Sequence, residues 1–206
     1  MAQEQRIEAV IFDLGRVIVD IDFSRSLFGL FGRFEGEIEE VIHEVMADEQ
    51  LSRYNRGEVT PGQFYEHLRE TLGLKVAYEE FVRRWCEIFS PMPGMEELLE
   101  ELRGKVRLGL FSNTDPLHWD YLRRHFPVLE VFARPTLSFE IGVLKPARES
   151  YLKAAADVGT AVERCMYVDD LGENVSGAAA VGMEAVQFES SGQIRGELVK
   201  RGLFIE

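Results

Sequence analysis

Short apolar runs alternate with helical patterns through the second half of the chain, and this alternation constrains the fold more than any other feature. Strands that alternate with helices predict a parallel sheet covered on both faces, that is, an α/β fold. Five runs have the length and residue types of buried strands: AVIFD (9–13), VRLGLF (106–111), PTLS (135–138), CMYVDD (165–170) and MEAVQF (183–188).

The alternation stops between residues 23 and 90, where only helical patterns are found. Thr60, Pro61 and Gln63 supply an N-cap, a proline in the first turn and a capping-box partner for one helix. The segment SPMPG (90–94) is rich in turn residues and predicts the return of the chain to the sheet. The sequence therefore predicts a helical insert after the first strand.

The length of 206 residues suits a core with one inserted unit, and the predicted boundaries are 1–22 and 91–206 for the core and 23–90 for the insert. The formal net charge of −13 disfavours nucleic acid and membrane surfaces as partners. No apolar stretch approaches the roughly 20 residues of a membrane span, and the N-terminus lacks the pattern of a signal peptide. We therefore expect a cytoplasmic protein, with Cys86 and Cys165 as reduced, mostly buried thiols.

Chemically useful side chains follow the predicted strands at the point where each strand ends. Ligands of an open parallel sheet bind outside the carboxyl ends of its strands, so we expect these side chains to lie close together. Each residue alone is ordinary, because a strand-ending Asp is most often a turn residue and an Asp pair can cap a helix. The residues, in chain order, are Asp13, Gly15, Ser112, Asn113, Lys145, Asp169, Asp170 and Asn174.

Four segments, in this order, resemble the motifs of the haloacid dehalogenase (HAD) superfamily: FDLGRV, FSNTD, GVLKP and VDDLGENV. The helical insert lies where many members carry a helical cap, and PMPGMEELLEELR resembles their re-entry into the core. The first and fourth motifs also resemble a sugar-phosphatase branch that includes glucose-1-phosphate phosphatases. The resemblance implies a HAD-like Rossmann core with an inserted α-helical cap.

The resemblance implies a nucleophile and a metal site at the end of the first strand. Asp13 would attack phosphorus and form an aspartyl phosphate, which divides one difficult displacement into two easier ones. Mg²⁺, which prefers oxygen ligands and keeps some waters, would be held by Asp13, the Gly15 carbonyl and Asp170. Asp169 would lie nearby and act through water, and Asn174 would orient the acidic loop.

The remaining motif residues would hold the phosphate group of the substrate. The resemblance implies that Ser112 and the backbone N–H of Asn113 bind phosphate oxygens, and that Lys145 balances the charge of the nucleophile and the phosphate. Leu14 and Arg16, in the loop after the first strand, are further candidates for substrate contact. A surface role is the alternative for Arg16.

Gly15 departs from the superfamily pattern. Phosphatases of this superfamily usually carry a second Asp here as general acid and base, and dehalogenases usually carry a Tyr. Glycine keeps the carbonyl ligand but brings no proton donor. Asp20, Asp22, a water or the substrate itself could substitute, although solvated or turn-forming acids are the simpler interpretation of these two residues.

The insert contains further candidates for substrate contact in LSRYNRGEVT (51–60). Arg53, Tyr54 and Arg56 could face the organic half of the substrate. The alternative interpretation is a polar turn between two helices.

The sequence as a whole predicts a Mg²⁺-dependent hydrolase of a small phosphorylated metabolite, in particular a sugar phosphate, as a monomer or weak homodimer. One alternative is a 2-haloacid dehalogenase, which needs no metal. The acidic pair Asp169 and Asp170 argues against it, because two further acids beside Asp13 are best accommodated with a cation. The other alternative is a non-catalytic binding or regulatory protein, against which the intact Asp13 and Lys145 argue.

Overall fold

A computed structural model of the protein describes residues 7–23 and 38–204. Two strands and four helices come first: β1 (Ala9–Phe12), β2 (Val19–Ile21), α1 (Ile38–Ala47), α2 (Glu49–Asn55), α3 (Pro61–Thr71) and α4 (Tyr78–Cys86). They are followed by β3 (Phe89–Pro91), α5 (Met95–Leu102), β4 (Arg107–Ser112), α6 (Pro116–His125) and β5 (Thr136–Leu137). The chain continues through α7 (Ser138–Ile141), α8 (Arg148–Val158), β6 (Cys165–Asp169), α9 (Gly172–Ala180), β7 (Glu184–Gln187) and α10 (Ser191–Lys200).

Five strands form one parallel sheet in the order β5-β4-β1-β6-β7. Strand β1 lies in the centre, and all four of its residues are fully buried because helices cover both faces of the sheet. Val10 and Phe12 pack into one apolar cluster, and Ala9 and Ile11 into another on the opposite face. The predicted α/β fold and its five strands are confirmed.

Strands β2 and β3 form a separate antiparallel ribbon that pairs Val19 with Pro91 and Ile21 with Phe89. The sequence did not predict this ribbon, because three-residue strands are too short to show an alternating pattern. The turn-rich segment 90–94 therefore begins inside a strand. The ribbon joins the start of the core to the helices that precede residue 90.

Helices α1 to α4, here called the helical unit (residues 38–86), have their own apolar core. It includes several aromatic rings, with Tyr54 stacked on Phe64 at 4.6 Å and Trp85 edge-on to Phe64 at 5.3 Å between ring centroids. The predicted capping box is present, since Thr60 and Gln63 cap α3 reciprocally. The boundaries 23–90 of the insert remain a prediction, and residues 24–37 lie outside the described part of the chain.

The helical unit contacts the core beside the carboxyl ends of β4 and β5. Gly57, at a φ of +70°, lies so close to the core that a Cβ there would overlap the carbonyl oxygen of Phe139. At a second contact the indole nitrogen of Trp85 donates a hydrogen bond to Asp115 at 3.1 Å. The helical unit thus lies at the sheet edge where Asp13 is found. Within residues 7–23 and 38–204, no helix has the length and hydropathy that a membrane span needs.

Candidate active site

Asp13 is the first residue after the central strand of the sheet. Its backbone N–H donates to the carbonyl of Val168 at 2.8 Å, which continues the ladder between β1 and β6. The residue is 8% exposed. Burial raises the pKa of Asp13 to about 6, against the lowering effect of the Lys145 charge. The central strand therefore presents a buried carboxylate with a small accessible face.

Lys145 lies between two carboxylates. Its Nζ donates to Asp13 Oδ1 at 2.7 Å, to Asp169 Oδ2 at 2.7 Å and to the carbonyl of Phe111 at 3.3 Å. Burial alone would lower the pKa of Lys145, but the charges of the two acids outweigh burial and raise it. The lysine is therefore a permanent cation that joins the ends of β1 and β6.

Asn113 holds the backbone of Lys145 in place. Its Oδ1 accepts from the Lys145 N–H at 2.9 Å, and its Nδ2 donates to the Lys145 carbonyl at 3.2 Å. The backbone N–H of Thr114 donates to Ser138 Oγ at 2.9 Å, which fixes the loop after β4. Ser112, which ends β4, is 4% exposed. The side chain of Asn113 thus positions the lysine, and binding of phosphate by its N–H remains a prediction.

Asp169 is fully buried and receives hydrogen bonds from four residues: Lys145, Tyr167, Leu171 and Asn174. Burial tends to raise the pKa of Asp169, but the charge of Lys145 and these hydrogen bonds lower it overall. Sequence reasoning missed the contact from the Tyr167 hydroxyl at 2.5 Å. The alternation of side chains along CMYVDD could have indicated this contact, because residues two apart in a strand, here Tyr167 and Asp169, lie on the same face.

Asp170 completes an acidic group with Asp13 and Asp169, in which one carboxylate oxygen from each residue lies within 4.8 Å of the others. Burial raises the pKa of Asp170, and the charge of Asp169 adds to the effect. Clustered carboxylates, and the carbonyl of Gly15 two residues after Asp13, are hard oxygen donors, which suits Mg²⁺. The arrangement fits the predicted metal.

Glycine at position 177 allows the loop that carries these acids to lie close to α8. A Cβ at Gly177 would meet the Tyr151 hydroxyl at 2.8 Å and Pro146 Cβ at 3.1 Å. The Tyr151 hydroxyl in turn donates to the carbonyl of Asn174 at 2.9 Å. Close packing of α9 on α8 therefore sets the position of the Asp169–Asp170 loop.

The loop after β1 folds back over the site. Leu14 is buried, whereas Arg16 is exposed, has a φ of +58° and donates its N–H to the Val19 carbonyl at 2.6 Å. The charge of Arg16 acts on Asp170 and lowers its pKa, although burial dominates. Ile21, in β2, lies over Gly15, so that a Cβ there would meet Ile21 Cδ1 at 2.7 Å.

Asp20 and Asp22, the two acids downstream of this loop, differ in their hydrogen bonds. Asp20 is exposed, and its Oδ1 accepts from the N–H of Ile21 at 2.9 Å. Asp22 follows β2, and its N–H donates to the Ile88 carbonyl at 2.9 Å. Substitution of either acid for the missing proton donor remains a prediction.

The three candidates for substrate contact in the helical unit, Arg53, Tyr54 and Arg56, differ in burial and in their partners. Arg53 and Arg56 both pair with Glu58, at 3.2 and 2.6 Å, and Arg56 also pairs with Glu49. A substrate-facing role is wrong for Tyr54, which is fully buried in the core of the helical unit. Tyr54 belongs to the helical pattern of buried residues. The polar residues beside it in the sequence made it resemble a surface residue.

Both cysteines are free and buried. Burial raises the pKa of Cys86 to about 12 and that of Cys165 to about 11, so both are protonated near neutral pH. The prediction of reduced, buried thiols is confirmed.

Comparison with known proteins places this fold and site among relatives. A D-ribitol-5-phosphate phosphatase of Bacteroides thetaiotaomicron is 23% identical, over 93% of this chain and 97% of that protein. The sesquiterpene phosphatase astK of Aspergillus oryzae is 27% identical, over 89% and 91%. A HAD family enzyme of B. thetaiotaomicron superposes with a TM-score of 0.78 at 25% identity, over 90% of this chain and 95% of that chain.

A more distant similarity shows the fold alone. The L-2-haloacid dehalogenase of Xanthobacter autotrophicus superposes in two structures with a TM-score of 0.67 at 19 to 20% identity, over 94 to 97% of this chain and 83 to 85% of that chain. Residues 7–182 match the model of a family described as haloacid dehalogenase-like hydrolase. This match spans most of the chain and includes all four motifs, so the chain belongs to the haloacid dehalogenase-like hydrolase family.

Proposed function

We propose that the protein is a Mg²⁺-dependent phosphomonoester hydrolase that acts on a small phosphorylated metabolite. The observation that carries this proposal is the arrangement around Asp13. A buried carboxylate ends the central strand, Lys145 is bonded to one of its oxygens at 2.7 Å, and Asp170 lies beside it. A nucleophile, a fixed cation and a further acid are the groups that phosphoryl transfer needs.

The relatives support the class of reaction. Two of them are named phosphatases, of D-ribitol 5-phosphate and of a sesquiterpene, and they align over about nine-tenths of this chain. Their organic groups differ greatly in polarity. The phosphate group, and not a particular carbon skeleton, is therefore what this chain is expected to share with them as substrate.

In the proposed reaction, a carboxylate oxygen of Asp13 forms a bond to phosphorus while the bond from phosphorus to the alcohol oxygen breaks. Water then attacks phosphorus, releases inorganic phosphate and regenerates the carboxylate. Ser112 and the N–H of Asn113 would hold phosphate oxygens, while Lys145 keeps Asp13 ionised and oriented. Leu14 and Arg16 border the same loop, where Arg16 offers a cation to the substrate.

The residues that would hold Mg²⁺ are Asp13, Asp170 and the Gly15 carbonyl. Bound there, the ion would offset the repulsion between the nucleophile and the phosphate. Asp169 contributes differently in this proposal, because its two oxygens already accept hydrogen bonds from four residues. We propose that Asp169 acts as the counter-ion of Lys145 and contacts the metal only through water.

The helical unit is proposed to act as a cap that selects the organic half of the substrate. Its contacts with the core at Phe139 and Asp115 lie beside the loop that follows Ser112. A sugar or polyol phosphate is the finer proposal, since Arg53, Arg56 and their acidic partners provide polar groups on this unit.

The test is phosphate release by the full-length protein from a panel of sugar, polyol and prenyl phosphates, with Mg²⁺ and with excess chelator. We expect Mg²⁺-dependent release that is lost in Asp13→Asn. Chloride release from a 2-haloacid that persists in chelator would support the dehalogenase instead. A protein that binds phosphate esters without turnover would support the non-catalytic alternative.

A further inference from the structure

A second buried charged cluster lies between the helical unit and the core; it comprises Trp85, Asp115 and His118 and is called here the His118 cluster. Asp115 is 1% exposed and caps α6, where its Oδ1 accepts from the N–H groups of Leu117 and His118 at 2.9 and 3.0 Å. Its Oδ2 accepts from Trp85 Nε1 at 3.1 Å. One carboxylate thus joins the start of a core helix to the helical unit.

Both ring nitrogens of His118 face acceptors. Nδ1 lies 2.7 Å from Asp115 Oδ2, and Nε2 lies 2.7 Å from the carbonyl oxygen of Trp85. A carbonyl and an ionised carboxylate cannot donate, and a neutral imidazole carries only one N–H. A neutral ring would therefore place a lone pair against an oxygen at one of the two contacts. Only the doubly protonated ring satisfies both.

The surroundings of the ring also favour a cation. The imidazole lies parallel to the Trp85 indole, with 5.0 Å between centroids and 6° between planes, and edge-on to Phe89 at 5.0 Å. A cation over an indole face is stabilised by the negative charge density of the ring. Trp85 therefore contacts His118 with its ring face and its carbonyl, and both contacts improve on protonation.

The other titratable groups packed around the cluster do not compensate for a proton lost from His118. Burial raises the pKa of Cys86 to about 12, and burial also raises those of Tyr54 and Tyr121, so these three are neutral near pH 7. Burial alone would raise the pKa of Asp115, but His118 and Trp85 outweigh it and lower the pKa. More distant charges come from Glu87, which pairs with Arg83, and from Asp120 and Arg124, which pair with each other.

We infer that His118, in its doubly protonated form, helps to hold the helical unit on the core, and that loss of one ring proton loosens this contact. The contact spans two elements that are distant in sequence, α4 and α6. Because Asp115 follows Ser112 by three residues, the contact lies next to the loop of the candidate active site. The inference is independent of the proposed hydrolysis, since its readouts need no turnover.

The first test is the protonation state of His118 in the full-length protein, measured by ¹⁵N–¹H correlation of the imidazole nitrogens over a pH series. We expect both nitrogens to carry protons at neutral pH. The resonance is assigned by its loss in His118→Gln or, should that variant not fold, by elimination with single Gln variants of His43, His67 and His125. A neutral tautomer at neutral pH would overturn the inference.

The second test follows the contact itself through Trp85 fluorescence. Trp119→Phe leaves Trp85 as the single indole of the chain, and acrylamide quenching then reports its accessibility. We expect quenching to increase with pH at the same midpoint at which His118 loses a proton. His125→Gln is the matched control, because His125 lies on the same helix and bonds only the Tyr121 carbonyl; it should leave the midpoint unchanged. Quenching that does not follow the His118 titration would overturn the inference.

Discussion

Asp13 and Asp115 are both buried carboxylates near the ends of neighbouring strands, yet their surroundings differ. Asp115 accepts from two backbone N–H groups and from Trp85, and it faces the ring of His118. Asp13 receives a side-chain hydrogen bond from Lys145 at 2.7 Å. Burial raises the pKa of Asp13 to about 6, whereas the donors around Asp115 outweigh burial and lower its pKa.

This difference separates an acid that holds structure from an acid that can react. A carboxylate whose lone pairs are all engaged gains little by binding anything else, while a desolvated carboxylate with few donors can attack or hold a metal. Asp169 resembles Asp115 in this respect, and Asp170 resembles Asp13. The comparison therefore supports the proposal that Asp13 and Asp170 take part in the chemistry, whereas Asp169 and Asp115 hold structure.

The largest effect is expected for Asp13→Asn. Hydrolysis should fall by at least about 10⁴-fold, because the amide cannot form the covalent intermediate. Folding should persist, since Lys145 keeps its ion pair with Asp169. Single-turnover assays measure the loss, and mass spectrometry excludes deamidation back to Asp. An active, intact Asn variant would end the assignment of Asp13 as nucleophile.

Substitution of Asp170 should mainly affect Mg²⁺ binding, whereas substitution of Asp169 should mainly affect the stability of the fold. Asp170→Asn should lower the affinity for Mg²⁺ by more than about tenfold and leave the stability in chelator nearly unchanged. Asp169→Asn should destabilise the fold in chelator by about 3 kcal/mol, because the buried amide loses the ion pair with Lys145 and cannot accept from all four residues that donate to Asp169. Calorimetric Mg²⁺ titration and urea unfolding measure the two effects. Equal losses of affinity with equal stability would show that both acids bind the metal directly.

Asp115→Asn should cost about 2 kcal/mol of unfolding free energy, through a weakened N-cap and an unpaired His118. The folded-state pKa of Asp115 is lowered, so its contribution is present above the unfolded value. It is lost as the pH falls through the folded value, below about 4. Urea unfolding of both proteins from pH 3 to 6 should therefore show a difference that shrinks towards the acidic end. A difference that is constant with pH would rule out the charge of Asp115 as its source.

The sequence predicted the parts of the fold and site that depend on local pattern. The five strands are apolar runs, the capping box of Thr60 and Gln63 is a fixed spacing, and the strand ends indicated where Asp13 and Lys145 would meet. The order of strands follows from packing and was not predicted in detail.

Contacts between distant segments could not be predicted in this way. His118 and Trp85 are 33 residues apart, and neither has a spacing that indicates the other. The same holds for the ribbon of β2 and β3, whose strands are three residues each and whose register places Ile21 opposite Phe89. These contacts arise from the packing of whole helices and strands against one another, and the spacing of residues in the sequence does not indicate them.

The smallest effect tests Gly15, the position at which the superfamily resemblance implies an acid in a phosphatase. Without that acid, the chemical step should depend steeply on leaving-group acidity, with aryl and anomeric phosphates ahead of phosphates of primary alcohols. Gly15→Asp alone should add little, because its Cβ would lie 2.7 Å from Ile21 Cδ1. Ile21→Val removes that methyl group and leaves Cγ1, at 3.7 Å, as the nearest contact.

The double variant Gly15→Asp with Ile21→Val should therefore flatten the dependence and raise the slowest substrates by about tenfold, a part of what an optimised acid supplies. Ile21→Val alone is the matched control, and it should keep the native slope because it adds no proton donor. Single-turnover rates across a leaving-group series measure all four proteins. A flat series in the native protein would mean that a proton donor is already in place. Asp20 and Asp22 would then be changed to Asn in turn, and the substitution that restores the slope would identify the donor that takes the place of an acid at position 15.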